Sequence, residues 1–290
     1  MTAETAPDGP KGIGAEVAAL TSTFSRVGAF NAVTPRDPAQ KVVQGEAYGA
    51  DRMQAVDVFA PLAMEAPAPV VIFFHGGGWQ TGRRQEYGFV GRALASRGFL
   101  TVVAGYRLAP QIRYPAFLED AAEATCWAVE RAAALGGDPT RLAFVGHSAG
   151  GYIALQLGLD TRYLRQAGVE PAHVRAVAGL SGPYSFLPLR TPATLATFSA
   201  AQDLEDTQPV NHARPDAPAA LLIHGGRDTA VSAGQSVRMG RALEAAGARA
   251  EVRIHQDLTH TDTVLALSRP FRRKAPILDE VAGFLKLHLG

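Results

Sequence analysis

Three short stretches of this sequence hold residue types that could carry acyl chemistry. Gly146-His147-Ser148-Ala149-Gly150 sets a serine between glycines two residues away on either side, after the apolar run Leu142 to Val145 and before the helix-competent run Tyr152 to Leu159. A turn tight enough to hold a serine hydroxyl clear of a sheet leaves no room for a Cβ at those two glycines. A bare G-x-S-x-G arises by chance in roughly one chain in ten of this length, so the strand-turn-helix setting carries the weight. The plain alternative for Ser148 is an N-cap serine that satisfies a free helix N–H.

His75-Gly76-Gly77-Gly78-Trp79 follows a second apolar run, Val70 to Phe74. Three consecutive glycines let backbone N–H groups turn toward a substrate. With the N–H of Ala149, at the positive end of the following helix, they could hold a developing oxyanion. A flexible turn is the bland reading of the same glycines.

A serine hydroxyl at its ordinary pKa is a weak nucleophile. It needs a histidine to take its proton and an acid to orient that histidine, in the chain order serine, acid, histidine. Asp228, in Gly225-Gly226-Arg227-Asp228, stands just beyond the apolar run Ala219 to His224, where a site acid belongs. His260 stands five residues past the run Ala250 to His255, in the loop 256–262. Among its competitors, His255 reads as part of a strand, His224 as the end of one, His75 as part of the glycine turn and His288 as helical. His173 and His212 read as surface residues. Asp257 and Asp262 rival Asp228 weakly, because they flank the base instead of coming from a separate strand end.

The elements that must position these residues alternate. Lys41 to Tyr48 and Met53 to Phe59 read as an antiparallel edge pair, and Val70 to Phe74 as a strand covered on both faces. Helices are predicted over Tyr87 to Arg97, Ala116 to Leu135, Ala149 to Leu159, Ser232 to Ala246 and Ala275 to Leu289. Strands are predicted over Phe99 to Ala104, Leu142 to Val145, Arg175 to Leu180, Ala219 to His224 and Ala250 to His255. That alternation predicts an α/β fold with a mostly parallel sheet and helices on both faces. Residues 1–40 are Ala, Gly and Pro rich and suggest an N-terminal arm or part of a lid. Residues 182–215 lose periodicity and hold five prolines with Tyr184, Phe186 and Phe198, which suggests a small cap inserted in a hydrolase domain over 41–290.

At 290 residues and 47% hydrophobic content the chain can bury one large core. Its formal charge of +1 gives no basic face for nucleic acid. The single cysteine, Cys126, excludes an internal disulfide and a multi-cysteine metal site, and its helical setting fits a small buried side chain. No apolar run approaches a bilayer span and the start lacks a secretory pattern, so a soluble, cytoplasmic protein with no membrane partner is expected.

With His75 to Trp79, Tyr106-Arg107-Leu108-Ala109-Pro110 and Gly146 to Gly151 in this order, the chain resembles the hormone-sensitive-lipase-like and arylformamidase-like carboxylesterases of the α/β-hydrolase superfamily, from about residue 50 to the end. His147, where the lipase-like branch usually has aspartate, and Trp79, which looks like the His-Gly-Gly-x-Trp pattern of kynurenine formamidases, lean toward the formamidase branch or its feruloyl-esterase-like neighbours. The run Tyr106 to Pro110 reads as structural, as does Glu119-Asp120.

The resemblance implies catalytic Ser148, Asp228 and His260, and oxyanion donors at Gly77, Gly78 and Ala149, with the inward-facing glycines left open. Trp79, Tyr184 and Phe186 are candidate pocket residues. No metal or organic cofactor is implied. Hydrolysis of small or aryl carboxylic esters is the leading expectation. Cleavage of an N-formyl amide such as N-formylkynurenine is the alternative, and a non-catalytic ligand-binding protein on the same fold is the third.

Overall fold

The computed structural model describes residues 30–290 apart from Ala32 and Glu65, so most of the expected N-terminal arm lies outside the described residues. Eight strands form one sheet: β1 (Ala39–Ala47), β2 (Ala55–Pro61), β3 (Ala68–Phe74), β4 (Leu100–Ala104), β5 (Gly137–His147), β6 (Val174–Leu180), β7 (Ala219–Gly225) and β8 (Ala250–His255). Their spatial order is β1-β2-β4-β3-β5-β6-β7-β8. Only β2 runs antiparallel to its neighbours, and every pair from β4 to β8 is parallel.

The helices that matter here are α1 (Gly88–Ala95), α2 (Ala116–Ala132), α3 (Ala149–Leu159), α4 (Arg162–Gln166), α5 (Pro192–Phe198), α6 (Gly234–Ala245), α7 (Asp262–Leu265) and α8 (Ile277–Leu289). β3 shows why its sequence is apolar throughout. Val70, Ile72 and Phe74 face one layer, with Phe117 of α2, Ile153 of α3 and Leu243 of α6. Val71 and Phe73 face the other, with Leu94 of α1 and Leu285 of α8. A strand buried on both faces has no polar side to alternate with.

Several elements differ from their sequence reading. β5 extends to Gly137 because Gly137 and Asp138 pair with Ala68 and Pro69, a pairing that apolar periodicity does not reveal. The helix expected over Tyr87 to Arg97 is α1, which starts at Gly88 and ends at Ala95, while Tyr87 closes a 3-10 turn, Arg84–Tyr87. Cys126 is half-buried on α2 rather than buried, with its thiol toward Glu130. Asp120 is fully buried and takes a bidentate grip from Arg107. That contact gives both Tyr106 to Pro110 and Glu119-Asp120 a structural task.

Between β6 and β7 the chain leaves the sheet. It makes α5, closed at its start by a Thr191/Thr194 capping box, and a 3-10 turn at Pro209–His212. The excursion is tied down by Tyr152 Oη donating to Thr207 O and by Gln235 Oε1 accepting from the N–H groups of Tyr184 and Ser185.

Candidate active site

Ser148 sits between the end of β5 and the start of α3 with φ 54 and ψ −120, a backbone conformation that non-glycine residues rarely adopt. Two glycines make the turn possible. A Cβ on Gly146 would lie 2.0 Å from Gly150 O, and one on Gly150 would lie 2.0 Å from Phe74 O. The hydroxyl therefore stands at the helix N-terminus, only 8% exposed.

The loop after β8 brings His260 over this serine. Its Nε2 lies 2.9 Å from Ser148 Oγ and its Nδ1 lies 2.7 Å from Asp228 Oδ2, on the loop after β7. A carboxylate can only accept, so His260 carries its proton on Nδ1 and offers the Nε2 lone pair to the serine O–H. The Asp228 side chain has no exposed surface. Burial alone would raise its pKa, but the His224 ring beside it, the hydrogen bond with His260 and the Val231 N–H hold it well below the usual carboxylate range. The rival acids are engaged elsewhere: Asp262 with Lys274 and Thr259, and Asp257 with Arg227.

The N–H groups of Gly77, Gly78 and Ala149 have no acceptor among the described residues. Gly77 (φ 133) and Gly78 (φ 58) both need positive φ. Their turn is closed by the N–H groups of Gln80 and Thr81 donating to Gly77 O. The loop is backed by His75, whose ring stacks on Tyr106 at 4.4 Å, while Tyr106 Oη donates to His75 O. Such an arrangement can accept an anion between a turn and a helix start.

His147 is buried beside the serine, and its Nε2–H donates to His260 O at 3.0 Å. Burial and the nearby His260 lower its pKa to about 3, and burial lowers that of His75 to about 4. In the unfolded chain a histidine titrates near ~6.5. Between those values the unfolded state binds more protons, so stability is fully present above about pH 6.5 and is lost as pH falls, at up to about 1.4 kcal/mol per pH unit per histidine. The melting temperature at pH 5 is expected to lie about 5 °C or more below that at pH 7. Scanning calorimetry giving equal values at both pH values would contradict it.

Among the candidate pocket residues, Trp79 is 3% exposed and Tyr184 has no exposed surface. Trp79 packs edge-on to Tyr152 and Phe198, at 5.4 and 4.9 Å. Tyr184 presses its hydroxyl against β6, where a Cβ on Gly179 would lie 2.0 Å from it. Tyr184 thus acts as packing under the excursion rather than as pocket wall. Phe186 is half-buried, 6.1 Å from Trp79. A cavity of about 520 Å³ is lined by Arg52, Gln80, Thr81, Arg83, Arg107 and Gln111 among others, and by none of Ser148, Asp228, His260, Gly77 and Gly78. Sequence reading missed this cavity because its walls come from three separate loops.

It also missed the placement of His147 against His260 and of His224 against Asp228, although each stands in a motif already singled out. Asp160, Asp206 and His212 lie close enough to suggest a cation site. The Arg162 guanidinium, 2.6 Å from both carboxylates, is already paired with each of them.

The BD-FAE family model matches residues 56–243. A probable isoprenylcysteine alpha-carbonyl methylesterase ICME of Oryza sativa subsp. japonica is 28% identical over 78% of this chain and 60% of its own. Esterase LipC of Mycobacterium tuberculosis is 32% identical over 65% of this chain and 52% of its own. The chain thus spans roughly six-tenths or less of the length of these relatives. Among solved structures, a phosphonate-inhibited esterase B from Lactobacillus rhamnosis superimposes with a TM-score of 0.82 at 22% identity, covering 94% of both chains. A truncated carbohydrate esterase from gut microbiota gives 0.76 at 19% identity, over 88% of this chain and 98% of its own. At these identities the structures speak to the fold, which is that of the α/β-hydrolases.

Proposed function

The chain belongs to the BD-FAE family, and from that premise we propose that it is a carboxylesterase-type serine hydrolase acting through an acyl-enzyme. The observation that carries the reading is the continuous contact from Ser148 Oγ to His260 Nε2 and from His260 Nδ1 to Asp228 Oδ2, beside three unused backbone N–H groups. Ser148 Oγ attacks the acyl carbon as His260 takes its proton. The oxygen that gains charge meets the N–H groups of Ala149 and of Gly77 or Gly78. His260 then returns the proton to the leaving alcohol, and a water activated by the same histidine releases the acid. Asp228 stays ionised throughout and stabilises the imidazolium.

The names of the sequence relatives, methylesterase and esterase, favour an ester over an amide. The buried aromatic packing around Trp79 favours a small acyl group. No helix among the described residues is long and apolar enough to cross a membrane.

Side-by-side kcat/KM values test the reading. Short-chain p-nitrophenyl esters are expected to be cleaved at least about 100-fold more efficiently than N-formylkynurenine. A preference for the formamide would transfer the same machinery to amide hydrolysis. Failure of a fluorophosphonate to label Ser148 would remove the acyl-enzyme altogether.

A further inference from the structure

His224 is the penultimate residue of β7, four residues before Asp228, and its side chain is wholly buried. Its Nε2 lies 2.9 Å from Val231 O, and a carbonyl oxygen only accepts, so Nε2 carries the proton. Its Nδ1 lies 2.8 Å from Ser236 Oγ on α6 and accepts from that hydroxyl. The same Nε2–H faces Asp228 Oδ2 at 3.2 Å. The Asp228 carboxylate thus accepts three hydrogen bonds, and the His224 N–H, already donated to Val231 O, lies alongside Oδ2 as a fourth polar neighbour. Oδ1 accepts from the N–H groups of Ala230 and Val231 at 2.9 and 2.8 Å, and Oδ2 meets His260 and His224. Val231 is gripped at both ends, its N–H by Asp228 and its carbonyl by His224.

We propose that His224 is a positioning residue of the triad, one that fixes the Asp228 carboxylate and moderates its pull on the His260 proton. The inference rests on the serine-hydrolase reading above. An anion shared among several donors is a weaker base toward each. Removing the His224 N–H concentrates charge on Oδ2, which favours protonated His260 and so withholds the base until higher pH. The other ionisable neighbours stay in place: the His147 ring is 5.0 Å from that of His260, Arg227 is paired with Asp257, and Lys274 with Asp262.

The test is the pH dependence of kcat/KM for p-nitrophenyl acetate, from pH 5 to 9, with melting temperatures measured alongside. In His224→Phe the acid limb is expected to move up by about 0.5 to 1 pH unit and kcat to fall about tenfold. His224→Gln, which can return an N–H toward Asp228, is expected to bring the limb back toward its original position. Ser236→Ala, which frees the ring, is expected to move it by a smaller amount. A lowered melting temperature with an unmoved limb in His224→Phe means a purely structural residue and overturns the proposal. Should His224→Phe not fold, imidazole nitrogen NMR of the unsubstituted protein decides. A His224 proton on Nε2 supports the proposal, and one on Nδ1 alone overturns it. Ser148→Ala separates the two readings. If that variant keeps its activity, the triad itself fails; if it is inactive while the His224 variants leave the limb unmoved, only the role of His224 fails.

Discussion

A Ser148→Ala protein is expected to hydrolyse p-nitrophenyl acetate about 10⁶-fold more slowly than the unsubstituted chain while melting within a few degrees of it. The two halves of that expectation have one cause. Among the described residues the Ser148 hydroxyl makes a single side-chain hydrogen bond, to His260. Losing that bond costs about 1 kcal/mol of stability. The chemistry, by contrast, loses the atom proposed to form the acyl-enzyme. Residual activity would come from the Gly77, Gly78 and Ala149 N–H groups and from binding alone. Steady-state turnover together with calorimetry on one preparation checks both halves, and full activity in the variant would end the assignment.

Asp228→Asn is expected to lower kcat by about 10⁴ with the backbone unchanged. The geometry says why an isosteric change is so damaging. The two backbone N–H groups on Oδ1 can be met only by the amide oxygen of asparagine, so the amide NH₂ is turned toward His260. Two donors cannot face each other, and His260 must shift its proton to Nε2. There it meets the Ser148 hydroxyl with an N–H instead of a lone pair. Turnover measured from pH 6 to 10 should show the loss across the whole range. A loss under tenfold would point to another acid.

Much of this site was legible because it depends on local geometry. Gly146 and Gly150 are demanded by contacts within a few residues of the serine or with the adjacent strand end, and Gly77 and Gly78 by positive φ in a single turn. Asp228 and His260 could be placed because each follows a strand whose apolar run marks where the sheet ends. The resemblance carried by His75 to Trp79 and Gly146 to Gly151 pointed to the α/β-hydrolase fold, which the sheet order and the parallel pairs bear out.

The pocket residues were a different matter. Tyr184 and Phe186 share a Pro-rich excursion, yet Tyr184 is wholly buried and Phe186 only partly so. Nothing in residue type separates them, because the direction of a side chain in an aperiodic segment is set by what it packs on. The extent of β5 was likewise hidden, since Gly137 and Asp138 become strand only by pairing with Ala68 and Pro69.

His224 and His147 mark the same division most clearly. By itself the sequence determined that a serine, an acid and a histidine follow one another at strand ends, because strand and turn propensities act over a few residues. Only the tertiary structure decided that His224 faces the Asp228 carboxylate and that His147 holds His260 across 113 residues. The reason is physical: a buried imidazole takes its tautomer and its charge from whichever donors and acceptors the folded chain brings within hydrogen-bond reach, and those partners have no fixed spacing along the sequence.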